Sequence, residues 1–138
     1  MPPSGTSAKQ EAPPSIGVID SDPVARAGIK ALLQPVGVDV VPFESAESYL
    51  LSATGELSCL IVDLLLPGMS GLELLRRLRA LGNDVPVILL ADESDVPTAV
   101  AAMREGATDF IEKPYVNVAV LKQVQKLLRS NGGGTAHA

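Results

Sequence analysis

Five short apolar runs, separated by stretches whose apolar residues recur with helical period, constrain this 138-residue chain more than any other feature. The runs lie at 16–19, 38–41, 59–62, 85–90 and 108–111. Four are nearly unbroken in apolar character, as strands are when helices cover both faces, while the second carries Asp39 and suits a sheet edge. Such alternation predicts βαβ units around a parallel sheet. The length fits one domain. With 46% apolar but only 3% aromatic residues, Val, Leu, Ile and Ala must fill its core.

The intervening segments read as helices with start signals. Asp22 can cap the first, with Pro23 at its first position and Ala25, Ile29, Leu32, Leu33 and Val36 forming an inward stripe. Ser45 can cap a short second helix carrying Tyr49 and Leu50. Gly71 opens a third, with Leu72, Leu75 and Leu78 inward and Glu73, Arg76, Arg77 and Arg79 in water. Asp95, with Pro97 shortly after, begins a fourth containing Val100 and Met103. A fifth spans about 116–129, with Leu121, Val124, Leu127 and Leu128 inward. The sum is an α/β fold, (βα)5. Residues 1–15 hold four prolines and little to bury, and 131–138 are glycine-rich. A disordered leader and a flexible tail, or the start of a linker, are therefore expected around a folded domain at 16–130.

A net charge of -5 argues against a nucleic-acid surface. No apolar run approaches the roughly 20 residues of a membrane span, and the N-terminus lacks an apolar signal region, so a cytoplasmic location is expected. The lone Cys59 sits in an apolar run and reads as a buried structural thiol.

In an open parallel sheet, ligands bind beyond the carboxyl ends of the strands. Those ends carry Asp20-Ser21-Asp22, Asp63, Ala91-Asp92 and Lys113. Asp63, between a buried strand and a Pro-Gly loop, has the chemistry to bind a metal or attack a phosphoryl group; a turn cap is the plainer role. A Lys-Pro step such as Lys113-Pro114 can adopt the cis isomer and aim the ammonium across the rim, although an exposed loop lysine explains Lys113 alone.

Taken together, VIDSDP, IVDLLLPGMSGLELLRRLR, DVPTAVAAMREGATDFIEKP and their spacing resemble the response-regulator receiver domain of two-component signalling. The likeness covers about 16–129, is greatest to receivers of transcriptional regulators that carry a helix-turn-helix domain, and implies a flavodoxin-like doubly wound parallel sheet of strand order 2-1-3-4-5. It implies a signalling module, not an enzyme, in which Asp63 accepts a phosphoryl group from a histidine kinase. It further implies that Asp20 lies beside a Mg2+ site with the backbone carbonyl of Leu65 as another ligand, and that Lys113 contacts the phosphoryl oxygens. Phe110 matches the aromatic that reports phosphorylation, a position that core packing explains equally well. The fourth helix, fifth strand and fifth helix, with Val100, Met103, Arg104, Phe110 and Lys122, match the family's output and homodimer face.

Two residues depart from the family pattern. Ser21 stands where a second acidic metal ligand is usual, so Mg2+ should bind weakly or not at all. Asp22 is an alternative ligand, but its place favours capping the first helix. Ala91 stands where a Ser or Thr hydroxyl usually bonds the phosphoryl group, and a methyl has no hydrogen to donate. The leading expectation is a receiver whose phosphorylation is impaired, altered or lost and which acts through partner contacts. A conventional Mg2+-dependent receiver controlling a transcriptional output domain is the alternative. A small flavodoxin-like nucleotide- or flavin-binding protein is a reading of another class, disfavoured by Ser21-Asp22-Pro23 where a Gly-rich phosphate loop would stand.

Overall fold

The computed structural model describes residues 13–52, 55–114 and 117–137. The apolar runs form five parallel strands: β1 Ser15–Ile19, β2 Asp39–Phe43, β3 Cys59–Asp63, β4 Val87–Ala91 and β5 Asp109–Glu112. Their order is β2-β1-β3-β4-β5, so the strand carrying Asp39 lies at an edge, as expected. Between and after them run the helices α1 Pro23–Leu33, α2 Ala46–Leu51, α3 Gly71–Ala80, α4 Val96–Arg104 and α5 Asn117–His137.

Successive strand residues point to opposite faces, and each face has its own apolar layer. On one, Ile19, Leu60, Val62, Val87 and Leu89 pack with Leu74, Leu75 and Leu78 of α3 and Ala99 and Ala102 of α4. On the other, Ile16, Val18, Ile61, Ile88 and Leu90 pack with Ile29 and Leu33 of α1 and Val120 and Val124 of α5. Cys59 belongs to this second layer, and burial pushes its thiol up to about 12.

Local chemistry sets where the helices begin. Asp22 accepts from the Val24 N–H at 2.9 Å with Pro23 following, and reciprocal Ser45–Ser48 bonds close the start of α2. Ser70 and Glu73 form the corresponding box at α3. Asp95 precedes α4 without a side-chain cap bond, after a 3-10 turn at Glu93–Asp95.

Several expectations are corrected. Val36 is not on the inward stripe: α1 stops at Leu33, a 3-10 turn over Gln34–Val36 breaks the period, and Val36 is 46% exposed. In α3, Leu74 takes the buried place expected of Leu72, which is only partly buried, because Leu74, Leu75 and Leu78 share the face toward the sheet. The fourth strand begins after Pro86, whose missing N–H cannot join a ladder. Finally, α5 continues past Ser130 through Gly132, Gly133 and Gly134 to His137. Helical hydrogen bonds close within the segment, so this backbone needs no packing partner, but three glycines cost about 3 kcal/mol relative to alanine. Residues 1–12 of the expected leader, and position 116 at the expected start of the last helix, lie outside the described residues.

Candidate functional site

Strand register assembles the site. Pairing of Ile19 with Val62 carries Asp20 and Asp63 to neighbouring positions at the strand ends, and Asp63 itself pairs with Leu90. Lys113 follows β5, where its N–H donates to the Ala91 carbonyl at 2.7 Å and its peptide bond to Pro114 is cis. Sequence separation is thus replaced by adjacency along one rim.

Asp20 and Asp63, at 1% and 8% exposure, are the buried charged residues among those described. Buried carboxylates need partners. Asp63 has one for each oxygen: Oδ2 lies 3.1 Å from Lys113 Nζ, and Oδ1 accepts from the Leu65 N–H at 3.2 Å. Asp20 is served on one side only, where Oδ1 accepts from the Asp22 N–H at 2.9 Å, and its buried Oδ2 has no partner. The Asp20 backbone is fixed more firmly, with its N–H on the Phe43 carbonyl and its own carbonyl accepting from Arg26 Nη1 at 2.7 Å.

The electrostatics follow. Burial pushes the Asp20 carboxyl above its ordinary range, the charge of Asp63 adds to this, and the Asp22 N–H opposes it. For Lys113, burial pulls the ammonium downward, but the Asp63 hydrogen bond and the charges of Asp63, Asp20 and Asp92 outweigh that, leaving it above the ordinary value. Lys113 is therefore the charged counter-ion of Asp63, with the charge of Asp20 adding to its hold on the proton.

The other rim residues are placed as follows. Ser21 is exposed, and Asp22 spends its Oδ1 on capping α1. Ala91 is buried in the layer under α3 and α4, and Phe110 packs partly buried against that layer. Gly71, at the start of α3, backs so closely onto the strand end that a Cβ there would stand 2.6 Å from the Asp63 carbonyl oxygen. Val100 and Met103 are 48% and 37% exposed on α4, and Arg104 and Lys122 are exposed as well.

The oxygen set suits a small divalent cation in part. Two neighbouring carboxylates and a bare buried oxygen on Asp20 are what Mg2+ takes, with water filling its remaining positions. No group of three or more His, Cys, Asp or Glu side chains able to hold a metal occurs among the described residues. The site thus offers two charged ligands.

Sequence reasoning missed Arg26, which holds the Asp20 carbonyl, and Glu47, which accepts from the Met69 N–H at 2.8 Å. It also missed the Ser70–Glu73 box, whose S-x-x-E pattern was readable. The two longer links leave no local signature.

A rim with paired aspartates, a lysine after β5 and this strand order defines a class of signalling module. Residues 16–125 match the response regulator receiver domain, and the chain belongs to that family. It is 35% identical over 115 residues to the transcriptional regulatory protein FixJ of Bradyrhizobium diazoefficiens, covering 83% of this chain and 56% of the relative. Identity to the response regulator protein TodT of Pseudomonas putida is 35% over 118 residues, covering 83% and 51%. The chain therefore spans about half the length of these curated relatives. The crystal structure of a response regulator receiver protein from Pseudoalteromonas atlantica superposes with TM-score 0.78 at 36% identity, covering 86% of this chain and 99% of that one. Full-length FixJ from B. japonicum gives 0.79 at 34% identity, covering 85% and 58%. Membership in this family displaces the reading as a nucleotide- or flavin-binding protein.

Proposed function

We propose that Asp63 is the phospho-acceptor of this receiver domain and that its reaction is slowed by Ser21 and Ala91. The observation carrying this reading is the division of the Asp63 carboxylate between Lys113 Nζ and the Leu65 N–H, which presents a buried, oriented nucleophile at the rim. An Asp63 oxygen attacks the phosphorus of a phosphohistidine on a partner kinase; the new O–P bond forms as the N–P bond breaks, and the imidazole takes back a proton. Lys113 balances charge on the transferred group. Receiver domains bind Mg2+ at an acidic pocket, and here Asp20, Asp63 and the Leu65 carbonyl would hold it. When bound, Mg2+ screens the charge between carboxylate and phosphoryl oxygens.

Ser21 removes one charged ligand from that set and also relaxes the resting site, because a third carboxylate about 4 Å away would repel by roughly 4 kcal/mol at an effective dielectric near 20. Ala91 leaves the phosphoryl group without a hydroxyl donor and leaves Phe110 without that link to the site. Signal output then rests on partner contacts or a homodimer through α4, β5 and α5, where Val100, Met103, Arg104 and Lys122 are exposed. The resemblance to FixJ and TodT supports a histidine-kinase partner, a cytoplasmic setting and a transcriptional output in a longer protein. A leader ahead of the domain belongs to the same reading. Receiver domains of transcriptional regulators are signalling modules rather than enzymes.

The test is incubation with Mg2+ and a small phosphodonor followed by intact mass. Slow, partial gain of one phosphoryl group, absent in Asp63→Asn, is expected. Rapid, near-complete gain would overturn the impairment in favour of conventional phosphorylation, a reading supported by the bare Asp20 Oδ2 awaiting a cation. A gain that persists in Asp63→Asn would remove Asp63 as acceptor.

A further inference from the structure

The arc after β3 carries Asp63 and Leu65, and it is held unevenly. Its inner residues Leu64 and Leu66 are buried, and the Gly71 N–H reaches back to the Leu64 carbonyl at 3.0 Å. Its outer residues Pro67 and Gly68 are exposed. There the Met69 N–H donates to Glu47 Oε2 at 2.8 Å, the one hydrogen bond tying this outer arc to a different element among the described residues. The carboxylate lies so close over Gly68 that a Cβ would stand 2.6 Å from Oε2, and Gly68 has φ of 75°, which glycine adopts freely. Glu47 is itself anchored in the first turn of α2, where the capping box closes the helix start and the helix dipole favours a carboxylate.

We infer that Glu47 is a positioning residue for Asp63: by holding the Gly68–Met69 turn it keeps the Leu65 N–H on Asp63 Oδ1, so that Oδ2 stays directed at Lys113. The inference rests on Asp63 as phospho-acceptor. With the turn released, Leu65 loses its fixed direction and the carboxylate its fixed rotamer, and attack requires that rotamer.

Glu47→Ala and Glu47→Gln separate this role from a structural one, since glutamine keeps an oxygen for the Met69 N–H and alanine does not. In Glu47→Ala, amide hydrogen exchange at Leu65 and Met69 should quicken about fivefold, the factor lost with one hydrogen bond of ordinary strength. The melting temperature should fall by no more than about 4 °C, the loss of one hydrogen bond read on global unfolding. Phosphorylation by a small phosphodonor should slow by about the same fivefold, with Glu47→Gln returning both exchange and rate close to the parent. Faster exchange at Met69 with Leu65 unchanged would overturn the inference, as would equal slowing in both variants. A parent that takes no phosphoryl group on Asp63 would end the acceptor reading instead, and exchange at Leu65 would then decide the role of Glu47 by itself.

Discussion

At 1% exposure, Asp20 holds one carboxylate oxygen on the Asp22 N–H and leaves the other bare, so the folded state carries a desolvation cost there. The folded carboxyl lies above its ordinary value of 3.8, and the folded protein therefore takes up a proton more readily than the unfolded chain. The cost is absent below the ordinary value, grows as pH rises through the raised one, and is complete above it. Asp20→Asn keeps the oxygen for the Asp22 N–H and removes the buried charge, so it should raise the melting temperature in metal-free buffer at pH 7 by about 4 °C, or ~1 kcal/mol. Melting curves should show that gain shrinking as pH falls toward 3.8. Ser21→Asp works in the other direction, adding a charged ligand: Mg2+ affinity should rise at least about tenfold and phosphorylation should quicken, read by titration and intact mass. Asp20, Asp63 and Lys113 were legible from their places at strand ends; the unequal partnering of the two aspartates was not.

At the scale of elements, the start of α3 matters most, because its backbone rests on the end of β3. Gly71→Ala would drive a Cβ against the Asp63 carbonyl, which cannot move without disturbing the ladder, and should cost more than about 2 kcal/mol. Ser70→Ala, which removes one half of the capping box, should cost about 1 kcal/mol. Urea unfolding orders the two, and equal costs would mean that α3 shifts away from the strand. The C-terminal ends of α3 and α4 are joined by Arg76 on Glu105 at 2.6 and 2.9 Å and by Arg79 on the Gly106 carbonyl. The ion pair is exposed and contributes little. Strands and helices were readable because their periods are local, whereas Leu74 displaced Leu72 because the sheet, not the helix, decides which leucines face it.

For the whole molecule, a Mg2+ ion held between Asp20 and Asp63 would be a ligand of the folded state alone and should stabilise it by mass action. With two carboxylates, about 10 mM Mg2+ should raise the melting temperature of the parent by less than about 2 °C, and that of Ser21→Asp by clearly more. A larger shift in the parent would return the site to conventional Mg2+ binding. The sequence by itself determined the (βα)5 order, the two apolar layers and the residues brought to the strand ends, because side-chain periodicity and the rules of parallel connection act over short stretches. Only the tertiary structure decided which oxygens are satisfied. Lys113 reaches Asp63 across 50 positions and Glu47 reaches Met69 across 22, while Asp20 Oδ2 finds nothing. Such pairings depend on strand register and on the directions of side chains from separate elements, quantities that exist only once the sheet has closed.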